Sequence, residues 1–200
     1  MTAVGLFPLG IALLPTEQIP LHIFELRYRE LIGECLEHDR PFGLVLADEE
    51  HGIQDVGTLA HVIDFEPLDD GRLNIVIEGR ERFTVSELTE GRAFHTAEIA
   101  PLDDDDDPAG HALVERGLSL FARLVALTEA DIAEPDAGHP QLSFALAARF
   151  ELAPGLKQVL LTQRSERERL EQVCEILETA HDAIERQREI ARRAQTNGKH

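Results

Sequence analysis

Residues 20–29, Pro20-Leu21-His22-Ile23-Phe24-Glu25-Leu26-Arg27-Tyr28-Arg29, mix apolar anchors with fixed charges. From Phe24 onward a helical period sets in: Phe24, Tyr28, Leu31, Ile32, Cys35 and Leu36 fall on one face. This spacing predicts one helix from about Ile23 to Glu37, with Glu25, Arg29, Glu30 and Glu34 on its wetter side. Pro41 lies just beyond, as expected of a helix stop. Glu25 can pair with Arg29 at i,i+4, worth a few tenths of a kcal/mol if exposed. Alternatively, Glu25 or Arg27 turns inward and ties the helix to Arg80 or Arg82. Both readings are structural, and neither points to catalysis.

Around this helix the chain reads as strands. Leu6–Leu9 and Ile11–Leu14 are short apolar runs punctuated by Pro and Gly. Phe42, Leu44 and Leu46 alternate. Leu59, His61, Ile63 and Phe65 line one face of another strand, and Leu73, Ile75 and Ile77 one face of a third. Asp69-Asp70-Gly71 between those two is a hairpin signal, because Asp-Gly accommodates positive φ. Phe83 and Val85 begin a further strand, and Phe94–Ile99 forms the last. Many short strands with a single helix among them indicate a small mixed barrel rather than a parallel βαβ sheet.

Beyond residue 103 the period changes to three to four. Asp103–Asp107 is a run of adjacent carboxylates followed by Pro108, which favours a solvated linker. Leu113, Gly117, Leu120, Phe121 and Leu124 then make a helical stripe, and Leu142, Leu146 and Phe150 a shorter one. Pro154 suits a first helical turn. Ser165 and Glu168 form a Ser-x-x-Glu capping box for a last helix carrying Leu170, Val173, Leu177, Ala180 and Ile184. The expected class is therefore α+β. Residues 1–102 form a β-barrel subdomain with an inserted helix, and 103–108 an acidic linker. Residues 109–190 form a helical bundle, and 191–200 a flexible tail.

The 200 residues carry 19 Lys and Arg against 38 Asp and Glu, a formal net charge of −19. A phosphate backbone or an anionic membrane surface is repelled by such a balance. The apolar start, residues 1–15, has no basic residue and is broken by Pro8, Gly10 and Pro15, unlike a signal peptide. No run has the length of a membrane span. Cys35 and Cys174 fall on amphipathic patterns and read as buried thiols in a reducing compartment. The expected location is cytoplasmic.

No phosphate-binding loop, dinucleotide fingerprint, nucleophile elbow or H-E-x-x-H motif occurs. His22 with Glu25, and Glu34 with His38, have helical ligand spacing but read as surface polarity at the two ends of the helix. His61 reads as a hydrogen-bonded core histidine, with no partner nucleophile. Asp103–Asp107 lacks the alternation and turn glycine of a calcium loop. No catalytic residue, cofactor site or metal site is therefore expected.

The blocks Leu6-Phe7-Pro8-Leu9, Leu14-Pro15 and Pro20 to Tyr28 resemble the N-terminal substrate-binding domain of Lon proteases. Phe42-Gly43-Leu44-Val45, Val56-Gly57-Thr58, Asp70-Gly71-Arg72, Gly79-Arg80-Glu81-Arg82-Phe83, Leu142-Ser143 and Lys157-Gln158-Val159-Leu160-Leu161 follow in the family's order. The resemblance spans residues 4 to about 180. It implies a PUA-like β-barrel with an inserted helix, followed by a helical bundle. No ATPase module or Ser-Lys protease domain follows within these residues, so the peptidase activity is not carried over. The implied role is a non-catalytic module that binds unfolded or specific protein substrates, as an adaptor or recognition factor beside a protease or chaperone. Its expected binding feature is an exposed apolar groove between barrel and bundle, rimmed by Pro20, His22, Phe42 and the loop Asp48–Gln54. A monomer or weak dimer is expected, without nucleic acid. RNA binding, the alternative for PUA-like folds, is disfavoured by the charge.

Overall fold

The structure is a computed structural model and describes residues 2–89, 91–128 and 131–197. Six strands pair into one mixed sheet: β1 (Thr2–Leu9), β2 (Gln18–Ile23), β3 (Phe42–Asp48), β4 (Gly52–Pro67), β5 (Leu73–Thr89) and β6 (Thr96–Pro101). The order is β2-β5-β4-β3-β1-β6, and β5 also pairs with β6, so a circuit of five strands closes on itself. Among the described residues only β1 and β3 run parallel; every other pair is antiparallel. β2 pairs with β5 alone and leaves an open edge among the described residues.

The hairpin expected at Asp70-Gly71 is present. Gly71 has φ +80°, Leu68 and Arg72 bond across the turn at 2.9 Å, and β4 and β5 flank it. Two expectations are corrected here. Residues 73–77 and 83–85 do not start separate strands, since β5 is one strand of 17 residues. Gly79 allows this. A Cβ there would collide with the carbonyl of Leu14, whose loop crosses β5 at that point. For the same reason Ile11–Leu14 is not a strand. Leu13 and Leu14 are buried in that crossing loop, where the Leu13 carbonyl accepts the buried Thr58 hydroxyl at 2.6 Å.

Helix α1 (Leu26–His38) buries Tyr28, Leu31, Ile32 and Cys35, as the spacing predicts, against Phe7, Phe42, Leu44, Ile75 and Ile77. The opposite face of the strands holds Leu6, Val45, Phe83, Ala97 and Ile99. The helix starts later than expected, because β2 runs through Ile23 and Glu25 is the N-cap. Glu25 pairs with Arg27 at 2.8 Å rather than with Arg29, Arg80 or Arg82.

The chain divides into two units. One comprises the residues up to Asp104 together with Phe150–Arg164, and the other Asp105–Arg149 and the chain from Ser165 onward. The second boundary differs from the sequence division, which groups all helices after residue 109. Helix α4 (Pro154–Thr162), with its proline in the first turn as expected, belongs with the strands. Polar contacts hold it there. Buried Lys157 bonds to buried Glu17, Gln158 donates to the Val56 carbonyl at 3.0 Å, and Arg82 donates to the carbonyls of Leu161 and Gln163, each at 2.6 Å. Arg82 also pairs with Asp104, so part of the acidic run is held rather than free.

In the other unit α2 (His111–Thr128) and α3 (Leu142–Ala147) pack on α5 (Glu166–Asn197). Ser165 caps α5, accepting the Glu168 N–H at 3.0 Å, and its hydroxyl donates to Asp107 at 2.6 Å. That donation, reinforced by Arg167, holds the Asp107 carboxyl below its usual pKa. Beyond Ile184 the α5 residues up to Arg193 are mostly exposed, and the helix continues through Asn197. The rest of the expected tail, 198–200, lies outside the described residues.

Both cysteines are buried and free. Burial, with Glu34 beside it, pushes the Cys35 thiol up to about 11, and burial also raises Cys174. At pH 8 such a thiol holds on the order of 100-fold less thiolate than an unperturbed one. Labelling with Ellman's reagent is expected to be complete within minutes in denaturant and slower by at least that factor in the native protein. Fast native labelling would contradict the burial of both thiols.

Candidate functional site

The register aligns three rows of residues across β2, β5 and β4: Pro20–Val76–Asp64, Leu21–Ile75–Phe65 and His22–Asn74–Glu66. Residues directly opposite in antiparallel strands share a face. Ile23 and Ile75 point into the core, so Pro20, His22 and, just past the strand, Phe24 lie on the outer side. The rows line an open recess of about 400 Å³. Phe24 is 62% exposed and stacks on the His22 ring at 6.2 Å, while Phe65 is 52% exposed. Leu26 and Ile63 are also exposed. Phe65 is paired with Ile75 and so lies on the inward side of the strands, across from His22 and Phe24. The ring left in water on the outer side is Phe24, and a large apolar side chain exposed beside a recess marks a recognition surface rather than packing.

Polar contacts fix the surface. The proton on His22 Nδ1 is donated to Asn74 Oδ1 at 2.7 Å, and Asn74 donates to Glu66 at 3.2 Å. Arg72 reaches His22 Nε2 at 3.3 Å and is itself held by Asp70 at 2.6 Å. Pro20 has no N–H, so the open edge of β2 cannot offer a continuous ladder to an added strand. Recognition here falls to side chains.

Of the rim residues expected from the sequence, Pro20 and His22 lie on this face. Phe42 does not. It is fully buried, with its ring 5.9 Å from Phe7, because β3 is covered on both faces. Asp48 and Gln54 are at the other end of β4 from the recess. Asp48 is turn structure, accepting the N–H groups of Glu50 at 2.9 Å and His51 at 2.6 Å. The His51 N–H contributes most to holding its carboxyl below the usual pKa.

Sequence reasoning missed Phe24 as a residue of this face and misplaced Phe65. Phe24 fits the helical stripe by spacing but precedes the helix. Phe65 was placed on the same strand face as Leu59, yet β4 shifts register between Thr58 and Ala60 and again between Val62 and Asp64. No signal in the sequence marks those bulges.

The other candidate groups are not assembled for chemistry. His22 and Glu25 take different partners, Asn74 and Arg27. Glu34 bonds to Arg92, while His38 contacts the Glu34 carbonyl at 3.0 Å rather than its carboxylate. His61 is half-buried, 3.9 Å from Glu81, and burial followed by Arg80 lowers its pKa. The fully buried Ser143 hydroxyl donates to Glu166 at 2.6 Å and accepts from Arg169 at 2.7 Å, so it serves the interior of its unit. Among the described residues one group has metal-ligand proximity, His181, Asp182 and Glu185 on α5. Arg123 approaches His181 Nε2 at 3.4 Å and brings positive charge to that place.

The model of the ATP-dependent protease La (LON) substrate-binding domain family matches residues 3–179. The chain belongs to the LON substrate-binding domain family. It is 24% identical over 202 aligned residues to the Lon protease of Escherichia coli K12, covering 92% of this chain but 25% of that protein. A Brucella suis Lon protease matches similarly, again at 24% identity and 24% of its length. The chain thus spans about a quarter of the curated relatives it matches. Among solved structures, a Lon N-terminal domain protein from Xanthomonas campestris superposes with TM-score 0.66 at 27% identity, covering 86% of this chain and 97% of that one. The N-terminal domain of a Mycobacterium avium complex Lon protease superposes with TM-score 0.65 at 14% identity, covering 88% and 98%, which speaks to the fold alone. This LON substrate-binding domain is a mixed α+β fold of the Lon N-terminal type. No helix among its described residues is long and apolar enough to cross a membrane.

Proposed function

We propose that this LON-domain chain is a non-catalytic module that binds unfolded or locally unfolded protein through the outer face of β2, β5 and β4. The observation that carries the reading is Phe24, exposed and stacked on His22 beside a recess on a face fixed by the His22–Asn74–Glu66 bonds. Family membership supports substrate binding as the class of function. On this reading the closed strand circuit is a PUA-like barrel, the protein acts in the cytoplasm as a monomer or weak dimer, and it serves as an adaptor or recognition factor for a protease or chaperone. It uses no cofactor. Nucleic-acid binding is the weaker reading, because the net charge of −19 opposes it.

The test is binding of reduced, carbamidomethylated lysozyme, a chain held unfolded, against native lysozyme as control. The unfolded form is expected to bind with micromolar affinity and the native form not measurably. Phe24→Ser is expected to weaken binding about tenfold, as for an aromatic anchor buried in the complex. Equal binding of both forms, or of neither, would overturn the proposal.

A further inference from the structure

The recess has a charge as well as an apolar surface. The charged side chains lining it are Asp64 and Glu66, both acidic and both exposed. Three neighbouring arginines are paired elsewhere, and Arg29 lies against the turn at Gly71. Arg27 is tied to Glu25 at 2.8 Å, Arg72 to Asp70 at 2.6 Å and Arg80 to Glu78 at 3.1 Å. Each is matched by its own carboxylate, and a ligand approaching the recess meets Asp64 and Glu66 in excess. The chain's net charge of −19 adds a long-range field of the same sign.

We infer that the face selects extended polypeptide segments whose aromatic or aliphatic residues are flanked by lysine or arginine, and rejects the same apolar segments flanked by acids. This rests on the proposed function and adds the chemistry of the segment it prefers. An apolar side chain fills the recess beside Phe24, and a flanking cation reaches Asp64 or Glu66. Acidic flanks bring like charges together on a partly desolvated surface, which disfavours binding more than an exposed ion pair favours it. Attraction also raises the association rate and makes binding salt-dependent.

The experiment uses the full chain and two fluorescein-labelled peptides read by anisotropy. The peptides share a Phe-Leu-Gly-Phe centre and carry two lysines, or two glutamates, on each side. At 50 mM NaCl the lysine peptide is expected to bind about tenfold tighter or better, and at 500 mM the advantage should fall below about threefold. The double variant Asp64→Asn, Glu66→Gln keeps the bonds these side chains accept from the Phe65 N–H and from Asn74. It is expected to lose most of the lysine peptide's advantage at low salt. Equal binding of the two peptides overturns the inference. So does an undiminished advantage in the double variant, which would assign the selection to the whole-molecule field. In either case, if Phe24→Ser still weakens both peptides, the proposed function stands. If neither peptide nor unfolded lysozyme binds, both fall.

Discussion

Replacing Arg169 with leucine is expected to lower the free energy of unfolding by about 3–5 kcal/mol. Arg169 is fully buried, and its guanidinium lies 4.0 Å over the Phe144 ring. It donates to the Ser143 hydroxyl and, at 2.7 Å, to Glu166. Glu166 is itself buried and accepts the Ser143 N–H at 2.9 Å and the Ser143 hydroxyl at 2.6 Å. The cluster joins α3 to the first turn of α5. Leucine fills the volume but leaves a carboxylate in the interior without its counter-charge, and that accounts for most of the loss. The double variant Arg169→Met, Glu166→Gln removes both charges and retains an acceptor for the Ser143 N–H, so it should recover roughly half of the deficit. Urea denaturation followed by circular dichroism measures both. A single-variant loss under 1 kcal/mol would show that the pair is hydrated and that this interior is differently built.

Phe42→Ala is expected to cost about 3–5 kcal/mol, the range for truncating a buried phenylalanine. The ring packs with Phe7, Tyr28, Ile32 and Leu44 between α1 and the sheet, and the cavity cannot close without moving the helix. The same variant separates two roles. A rim residue loses ligand affinity at unchanged stability, whereas a core residue loses stability while the protein that remains folded binds as before. The structure requires the second outcome, measured by denaturation together with binding of unfolded lysozyme below the shifted midpoint.

Local chemistry was legible wherever it was decided by neighbours in sequence. Asp70-Gly71 specifies its hairpin, Pro154 starts α4, and Ser165 with Glu168 marks the head of α5. Pro20 and His22 were expected on the rim, but β2, the edge strand that carries them, was not read from the sequence. What required tertiary information was less accessible. The extra residue in β4 between Val62 and Asp64 puts Phe65 on the face of Ile75 rather than that of His61, and only the pairing with β5 reveals it. Phe24 continues a helical stripe on paper, but strand pairing claims the residues before it. The Lys157–Glu17 and Arg82–Leu161 contacts bring α4 to the strands across long stretches of chain, and no periodic pattern encodes them. The motif blocks at 79–83 and 157–161 thus meet as a structural joint.

The central claim is that the outer face of β2, β5 and β4 receives an unfolded chain. Hydrogen–deuterium exchange with and without unfolded lysozyme tests it most directly. Protection is expected in residues 18–26, 63–67 and 73–77, and should vanish in the Phe24→Ser variant. Protection confined to α2 and α5, with those three segments unchanged, would contradict it.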